Sequence, residues 1–438
     1  MSQLNKRINL YGLTMIAVGS CIGAGIFTTP NVVAQPLNNH LLVLIIWILG
    51  GLISLTGALT FAELGGMFPK SGGVYVFLKE AYGDLTGFLY GWVILLAINT
   101  GSLAALGIAL AEYLTFFFPM TPEVKTLVAI GVIAGLTLVN VVGVSVSQSL
   151  ANIFTGLKLL AIVGIAIVGF LYYDPSKVDF SLGLFTQEGQ NIYTGLLIAL
   201  IGVLWSYGGW HHASYVAGET INAQKTVPRA MMLGAIIVTL TYVLVNLAYM
   251  LLLPMDALVA SERVAGDAVG AAISNGGQWV AVAIAISIFG TISIYTMSAP
   301  RIYFAMAKDG LFFEKLAEIH PRFRTPTNAM LIQALWAILL LLFWGTFADL
   351  ITYVVFMDFL FMALGAYSVI LFRRRLADRE RPYKTWGYPV VPWIFILIVA
   401  AFLINTLISR PSQAIAGIVI AGIGAVVYRL FKKESTET

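Results

Sequence analysis

Two runs rich in glycine interrupt otherwise apolar stretches of this chain: Gly19-Ser20-Cys21-Ile22-Gly23-Ala24-Gly25 and Ser206-Tyr207-Gly208-Gly209-Trp210. Glycine lets a backbone leave α geometry without steric cost. A helix broken inside a bilayer exposes N–H and C=O groups that lipid cannot satisfy, so such breaks survive only where they line a protected cavity. The half-helix that starts after Gly25 presents unpaired N–H groups and the positive end of its dipole, which together bind a carboxylate without Arg or Lys. Gly208 and Gly209 free the opposite groups, carbonyls suited to an ammonium. Two such breaks at matching places in two halves of a chain point to a transporter's substrate site at the membrane midplane. The alternative reading makes these glycines small packing residues of the G-xxx-G type.

Other residues near the breaks carry chemistry of their own. Trp205 sits beside the second break, where an indole can swing across a pocket as a lid. It lies some fifteen residues into its span, about 22 Å along a helix axis, too deep for an interfacial belt. His211 and His212 have no carboxylate or Cys at ligand spacing, so no metal site is expected and hydrogen bonds within the same span are. Lys158 falls near mid-depth, where an ammonium costs several kcal/mol and must pair, neutralise or meet water. The functional reading is that it replaces a bound sodium ion and holds the first broken helix through its carbonyls; snorkelling to an interface fails on depth. Asp358 is also deep, and could carry a proton, contact substrate or pair within the bundle. Glu112 is placed to reach the outer headgroups, and Glu63 and Glu219 to act at inner span ends, interfacially or by pairing with loops.

The elements that must hold these groups follow from composition. Hydrophobic residues make up 59% of the 438 and charged residues 11%, about half the soluble share, which excludes a soluble fold. Windows of about 20 apolar residues place twelve spans at 8–35, 39–66, 82–117, 123–144, 147–172, 190–218, 226–253, 277–309, 327–345, 347–372, 389–408 and 411–431. The first is read as a retained span and not a signal peptide, being long and lacking a small-residue cleavage site. With the N-terminus inside, cytoplasmic segments hold 20 of the 25 Lys and Arg residues, an asymmetry that puts both termini in the cytoplasm. Cys21 is the sole cysteine, so no intramolecular disulfide is possible. The net charge of +4 carries no message about nucleic acid, and no nucleic-acid partner is expected; the surrounding partner is the lipid bilayer.

The fold class is therefore an all-α integral membrane protein of twelve transmembrane helices. Spans 1–5 (residues 1–173) and 6–10 (190–373) each begin with a broken helix and contain a long third span, and an odd number of spans inverts the second unit. This is a five-plus-five inverted repeat, with broken helices 1 and 6 and two appended helices at 389–431. Segment 311–319 reads as a short amphipathic helix on the cytoplasmic surface. None of the four His residues pairs with a nucleophile at suggestive spacing, so an enzyme is not expected. A channel would need a continuous polar pore, and a receptor of the same fold is the remaining alternative.

Several motifs occur in order along the whole chain: Gly23-Ala24-Gly25-Ile26-Phe27, Ala62-Glu63-Leu64-Gly65 through Pro69-Lys70-Ser71-Gly72-Gly73, Gly156-Leu157-Lys158-Leu159-Leu160, Tyr207-Gly208-Gly209-Trp210, Tyr242 through Tyr249, and Arg381-Pro382-Tyr383-Lys384-Thr385-Trp386-Gly387-Tyr388-Pro389. With them the chain resembles the amino acid–polyamine–organocation superfamily, and within it bacterial relatives of the L-type amino acid transporters. The resemblance implies sodium-independent amino acid transport, often as obligatory exchange, with no cofactor. It implies that the substrate carboxylate meets backbone around Ile22, Gly23, Ala24 and Gly25, and the amino group the carbonyls of Trp205, Ser206 and Tyr207, so that the candidate substrate set runs over Ser20, Ile22–Gly25 and Trp205–Gly208. It places Trp205 at the gate, Lys158 at the sodium-site lysine and Tyr242 beside it. Three departures stand out. The outer stretch Phe118-Pro119-Met120-Thr121-Pro122 lacks the Cys that links animal relatives to a heavy chain, so no disulfide-linked partner is expected. His211 replaces a frequent Asn, and Asp358 falls where some relatives carry a neutral amide. The expected function is a secondary transporter in the cell membrane, working by alternating access as a sodium-independent exchanger of small neutral L-amino acids. A proton-coupled symporter using Asp358 or Lys158 is the alternative.

Overall fold

A computed structural model describes residues 4–178, 180, 192–343 and 347–434. Among them are eleven helices long and apolar enough to cross a membrane and a twelfth, shorter one, Thr327–Phe343. These match the twelve expected spans. Span 1 comprises Leu10–Cys21, Gly25–Thr28 and Pro30–Ala34; span 2 is His40–Met67; span 3 runs Asp84–Val93, Ile94–Ile98 and Asn99–Leu114. Spans 4 and 5 are Pro122–Val141 and Val144–Leu171, span 6 is Ile192–Tyr207 followed by His212–Tyr215, and span 7 is Ala223–Leu252. Span 8 is Gly276–Ser298 continuing into Pro300–Lys308, span 9 is Thr327–Phe343, span 10 is Phe347–Arg375, and spans 11 and 12 are Val390–Ser409 and Pro411–Glu434. The expected start of span 6 at 190 and the end of span 9 at 344–345 lie outside the described residues.

Local signals account for the helix starts. Asn9 and Asn39 cap spans 1 and 2, their side-chain oxygens accepting from Gly12 N at 2.9 Å and Leu42 N at 3.0 Å, as short polar caps do for orphan N–H groups. Proline opens spans 4 and 12 and the continuation of span 8, where its missing N–H costs nothing. The helices sort into an inner set and an outer jacket. The most apolar windows of spans 1, 3 and 8 are 83%, 89% and 72% buried, against 28% for span 4 and 22% for span 12. Spans 1, 3 and 8 therefore meet neighbours over most of their surface, and the site sits among them.

Five consecutive residues of span 3, Ile94–Ile98, form a π-helical turn, with Thr100 Oγ1 donating to the Leu95 carbonyl at 2.6 Å. Such bulges gather at functional sites, and this one turns Ile94, Ile98 and Asn99 toward the central cavity. Three short helices, Val74–Tyr82, Met255–Ala260 and Val264–Ala272, lie in segments read from sequence only as loops. The amphipathic helix expected over 311–319 is reduced to a single 3-10 turn, Glu314–Ala317. Leu311, Phe312 and Leu316 are pulled inward instead, with Phe312 packed on Phe88 and Phe431. Burial of those rings breaks the periodicity a surface helix would need.

The end of the bundle that carries residues 5–9 is closed by buried polar contacts. Arg301, 1% exposed, forms a two-pronged ion pair with Glu219, 0% exposed, at 2.8 and 3.0 Å. Its Nη1 also donates to the Met297 carbonyl. The backbone of Arg7 and Ile8 donates to the Glu219 carbonyl at 2.9 and 3.0 Å. Glu63 accepts from Arg373 at 2.7 Å and from Arg381 and the Thr385 N–H at 3.1 and 2.7 Å. Of the two roles expected for these carboxylates, Glu63 takes the loop-pairing one through Arg381 and Thr385, whereas Glu219 pairs with Arg301 of span 8; both are buried. Tyr75 donates to Asp309 at 2.9 Å; burial, then that carboxylate, holds the phenol well above its ordinary pKa, so it remains the donor. Glu112 pairs with Lys125 at 2.5 Å, and its side chain stays exposed at the end of span 3.

Candidate functional site

The first break begins where the helix ends at Cys21. The Ile22 N–H still reaches the Val18 carbonyl at 2.9 Å, the Gly23 N–H turns to Cys21 O at 2.8 Å, and helix resumes at Gly25. Among the described residues, the N–H groups of Ala24, Gly25 and Ile26 donate to no carbonyl. These are the orphan donors of a helix start. The break also frees the carbonyls of Gly19 and Ile22, and Lys158 collects them. Its Nζ, 1% exposed as a residue, lies 2.8 Å from Gly19 O, 2.7 Å from Ile22 O and 2.6 Å from Thr291 Oγ1. Thr291 Oγ1 is itself 3.1 and 2.9 Å from the same carbonyls. An ammonium has three donors, and all three are used. A charge surrounded by oxygens alone is how a monovalent cation would be held.

The second break opposes the first at close range. Gly208 N–H folds back to Trp205 O at 3.2 Å, and helix restarts at His212. Gly209 has φ 122°, and a Cβ there would lie 2.6 Å from Ser20 O, so the position admits glycine for two independent reasons. Side chains stitch the breaks together. Ser20 Oγ donates to Gly209 O at 2.8 Å. The Tyr242 hydroxyl lies 2.8 Å from Cys21 O and 2.9 Å from Ser206 O, one carbonyl from each break. Thr29 and Ser206 share a hydroxyl pair at 2.9 Å.

Between the breaks lies a cavity of about 40 Å³. Of the residues expected from sequence, Ser20, Gly23, Ala24, Gly25, Trp205, Ser206 and Gly208 line it, and so does Asp358 from span 10. Asn99, Ser102 and Tyr295 complete its polar wall. Ile22 and Tyr207 do not line it. Ile22 gives its carbonyl to Lys158, and the Tyr207 hydroxyl is turned away to Trp47 O at 2.9 Å. Of the three span-6 carbonyls expected to face an ammonium, each already has a neighbour: Gly208 N for Trp205, Tyr242 for Ser206, and Cys21 Sγ at 3.7 Å for Tyr207. A carbonyl has two lone pairs, so acceptor capacity remains.

The histidines depart from expectation. His212 Nδ1 pairs with Ser298 Oγ of span 8 at 2.7 Å, outside its own span, and its ring stacks on Tyr295 at 4.3 Å. Among the described residues, His211 Nδ1 is buried with no hydrogen-bond partner. Sequence reasoning missed Thr291, Ser287 and Tyr295. Their spacing of four along one helix face was the available signal, a polar stripe inside an apolar span. Among the described residues no group of three or more His, Cys, Asp or Glu could hold a metal ion.

A bundle of twelve membrane helices whose first and sixth spans break against each other around a small cavity of mixed polar and apolar lining has the architecture of a membrane transporter. Residues 8–427 match the amino acid permease family, and the chain belongs to it, within the amino acid–polyamine–organocation superfamily. It is 31% identical over 438 residues to the serine/threonine exchanger SteT of Bacillus subtilis, covering 98% of both chains. It is 33% identical over 441 residues to the large neutral amino acids transporter small subunit 2 of Mus musculus, covering 98% of this chain and 81% of that one. With the cystine/glutamate transporter of Homo sapiens it shares 31% identity over 434 residues, covering 98% and 86%. The protein is accordingly a multi-pass amino acid transporter and not an enzyme.

Proposed function

We propose that this chain is a sodium-independent exchanger of small neutral L-amino acids in the cell membrane, working by alternating access with both termini cytoplasmic. The observation that carries the reading is Lys158, whose ammonium occupies the oxygen nest formed by Gly19, Ile22 and Thr291. With a fixed cation in that nest, the first break needs no sodium ion to hold its carbonyls. The free N–H groups of Ala24, Gly25 and Ile26 receive the substrate carboxylate, as helix N-termini do. The remaining lone pairs of Trp205 and Ser206 receive its ammonium. Residues 1–173 and 190–373 act as two inverted units that rock about this point, with 389–431 appended. The cavity's small volume favours short side chains, as does the name of the serine/threonine exchanger relative. No disulfide-linked heavy chain is part of this reading, since Cys21 is the only cysteine and is buried.

Proteoliposomes test the coupling. Uptake of labelled serine or alanine is expected to require amino acid inside the vesicle and to be unchanged when choline replaces sodium. Uptake into empty vesicles driven by an imposed pH gradient overturns exchange. It would favour proton symport, the second reading, which Asp358 Oδ1, buried without a partner among the described residues, supports.

Trp205 is part-exposed and lines the cavity. Replacing it with alanine removes an indole that fills space over the site, so larger side chains gain access. We expect Trp205→Ala to improve competition by leucine or phenylalanine relative to alanine about tenfold, the scale of one or two methylenes in an apolar pocket. An unchanged competition profile removes Trp205 from the gate.

A further inference from the structure

Charge is unevenly shared at the end of the bundle that carries residues 5–9. Segments 301–324 and 373–384 mix their cations with Asp309, Glu314, Glu318, Asp378 and Glu380. Arg301, Arg373 and Arg381 there pair with Glu219 and Glu63. The starts of spans 1 and 7 differ: residues 4–12 and 220–240 hold Lys6, Arg7, Lys225 and Arg229 and no acid. All four are exposed, and none of the ion pairs among the described residues uses them. Lys225 and Arg229 stand four residues apart on span 7, so they share one helix face, with Cβ atoms about 6 Å apart. Leu233, Ile236 and Leu240 continue that face and are 40%, 41% and 67% exposed. In a bilayer an apolar face of this kind meets acyl chains. Residues 6–8 are tied to the segment just before span 7. The N–H groups of Arg7 and Ile8 donate to Glu219 O at 2.9 and 3.0 Å, and the Ile221 N–H donates to Ile8 O at 2.9 Å.

We propose that Lys225 and Arg229, reinforced by Lys6 and Arg7, bind the headgroup of an anionic phospholipid whose acyl chains lie along Leu233, Ile236 and Leu240. Each part of the lipid then meets its complement at the matching depth. Basic residues at the membrane end of a span attract acidic headgroups. The long stems of Lys and Arg cover apolar surface while the charged tips stay at the interface. The apolar stripe runs on from Arg229 to Leu240, eleven residues or about 16 Å of helix, along which an acyl chain can lie. A zwitterionic lipid brings its own ammonium and gains little from the four cations. A free phosphate leaves the apolar stripe unused, so the observations favour the lipid. Neither the substrate nor the coupling mode enters this assignment.

Native mass spectrometry of the purified full chain in a neutral detergent tests the site. Dioleoyl phosphatidylglycerol is titrated against dioleoyl phosphatidylcholine, which has the same acyl chains. Binding of the first lipid should favour phosphatidylglycerol at least about tenfold. Each cation beside a headgroup contributes about fivefold, so Lys225→Gln with Arg229→Gln should weaken phosphatidylglycerol binding about 25-fold. Phosphatidylcholine binding should not move. Lys308→Gln with Lys315→Gln removes the same charge from exposed positions of a mixed-charge segment and should leave phosphatidylglycerol binding nearly unchanged. All four substituted side chains are exposed, so the fold is spared. No preference in the unmodified protein, or a preference unmoved in the span-7 variant, overturns the site. Equal losses in the two double variants also overturn it, since general positive charge would then account for the binding. Displacement of the bound lipid by inorganic phosphate would make the ligand a free anion and reject the lipid.

Discussion

Lys158→Ala should reduce the initial rate of amino acid exchange roughly 100-fold while weakening substrate binding far less. The side chain supplies three charge-assisted hydrogen bonds to Gly19 O, Ile22 O and Thr291 Oγ1, each worth about 1.5–3 kcal/mol in mutational series. Without it, two carbonyls at the end of a half-helix have only the Thr291 and Ser287 hydroxyls, the latter at 3.3 Å from Ile22 O. The break then loses its charged tie to span 5, while the span-8 hydroxyls still reach it; in the alternating-access reading proposed above, that tie is what makes spans 1, 5 and 8 move together. The protein groups proposed to receive the substrate, the amides after the break and the span-6 carbonyls, are not removed. Uptake rates in proteoliposomes and substrate-induced thermal shifts of purified protein separate the two effects. Uptake at the unmodified rate would reject the role assigned to Lys158.

The second large effect is on stability. Glu219→Gln should lower the stability of the folded bundle by about 3–5 kcal/mol, because removing one partner of a buried ion pair leaves an uncompensated charge. Arg301 is that charge: it is 1% exposed, and its other contact is a single carbonyl. The double change Glu219→Gln with Arg301→Met removes both charges and should recover much of the loss, since apolar replacements of buried pairs are often close to neutral. Thermal unfolding in detergent reads the comparison. Additive single effects, with no recovery in the double variant, would mean the pair is not a unit. The same cut also loosens the closed end of the bundle, where the Glu219 carbonyl anchors Arg7 and Ile8.

Much of the architecture was legible without coordinates. The twelve spans follow from the requirement that about 20 apolar residues cross the hydrocarbon core. The breaks in spans 1 and 6 follow from glycine runs that a continuous membrane helix would not collect. Lys158 could be picked out because a charge at mid-depth demands a partner. The π-helical turn at Ile94–Ile98 left no mark, since its residues are ordinary apolar ones. The 3-10 turn at Glu314–Ala317 contradicted its pattern because Phe312 found an aromatic cluster formed by Phe88 and Phe431, far away along the chain.

From its sequence alone this protein's class, span count and the two unwound segments are determined, because length, hydropathy and backbone freedom are local properties. What only the tertiary structure decided is which groups meet. Glu219 and Arg301 pair across 82 residues, Lys158 and Gly19 across 139. A helix surrounded by lipid on one side and apolar neighbours on the other shows little periodicity, so its sequence does not say which face turns inward. Packing of the small residues and the cost of an unpaired charge select the partners, and both are settled only when the helices are brought together.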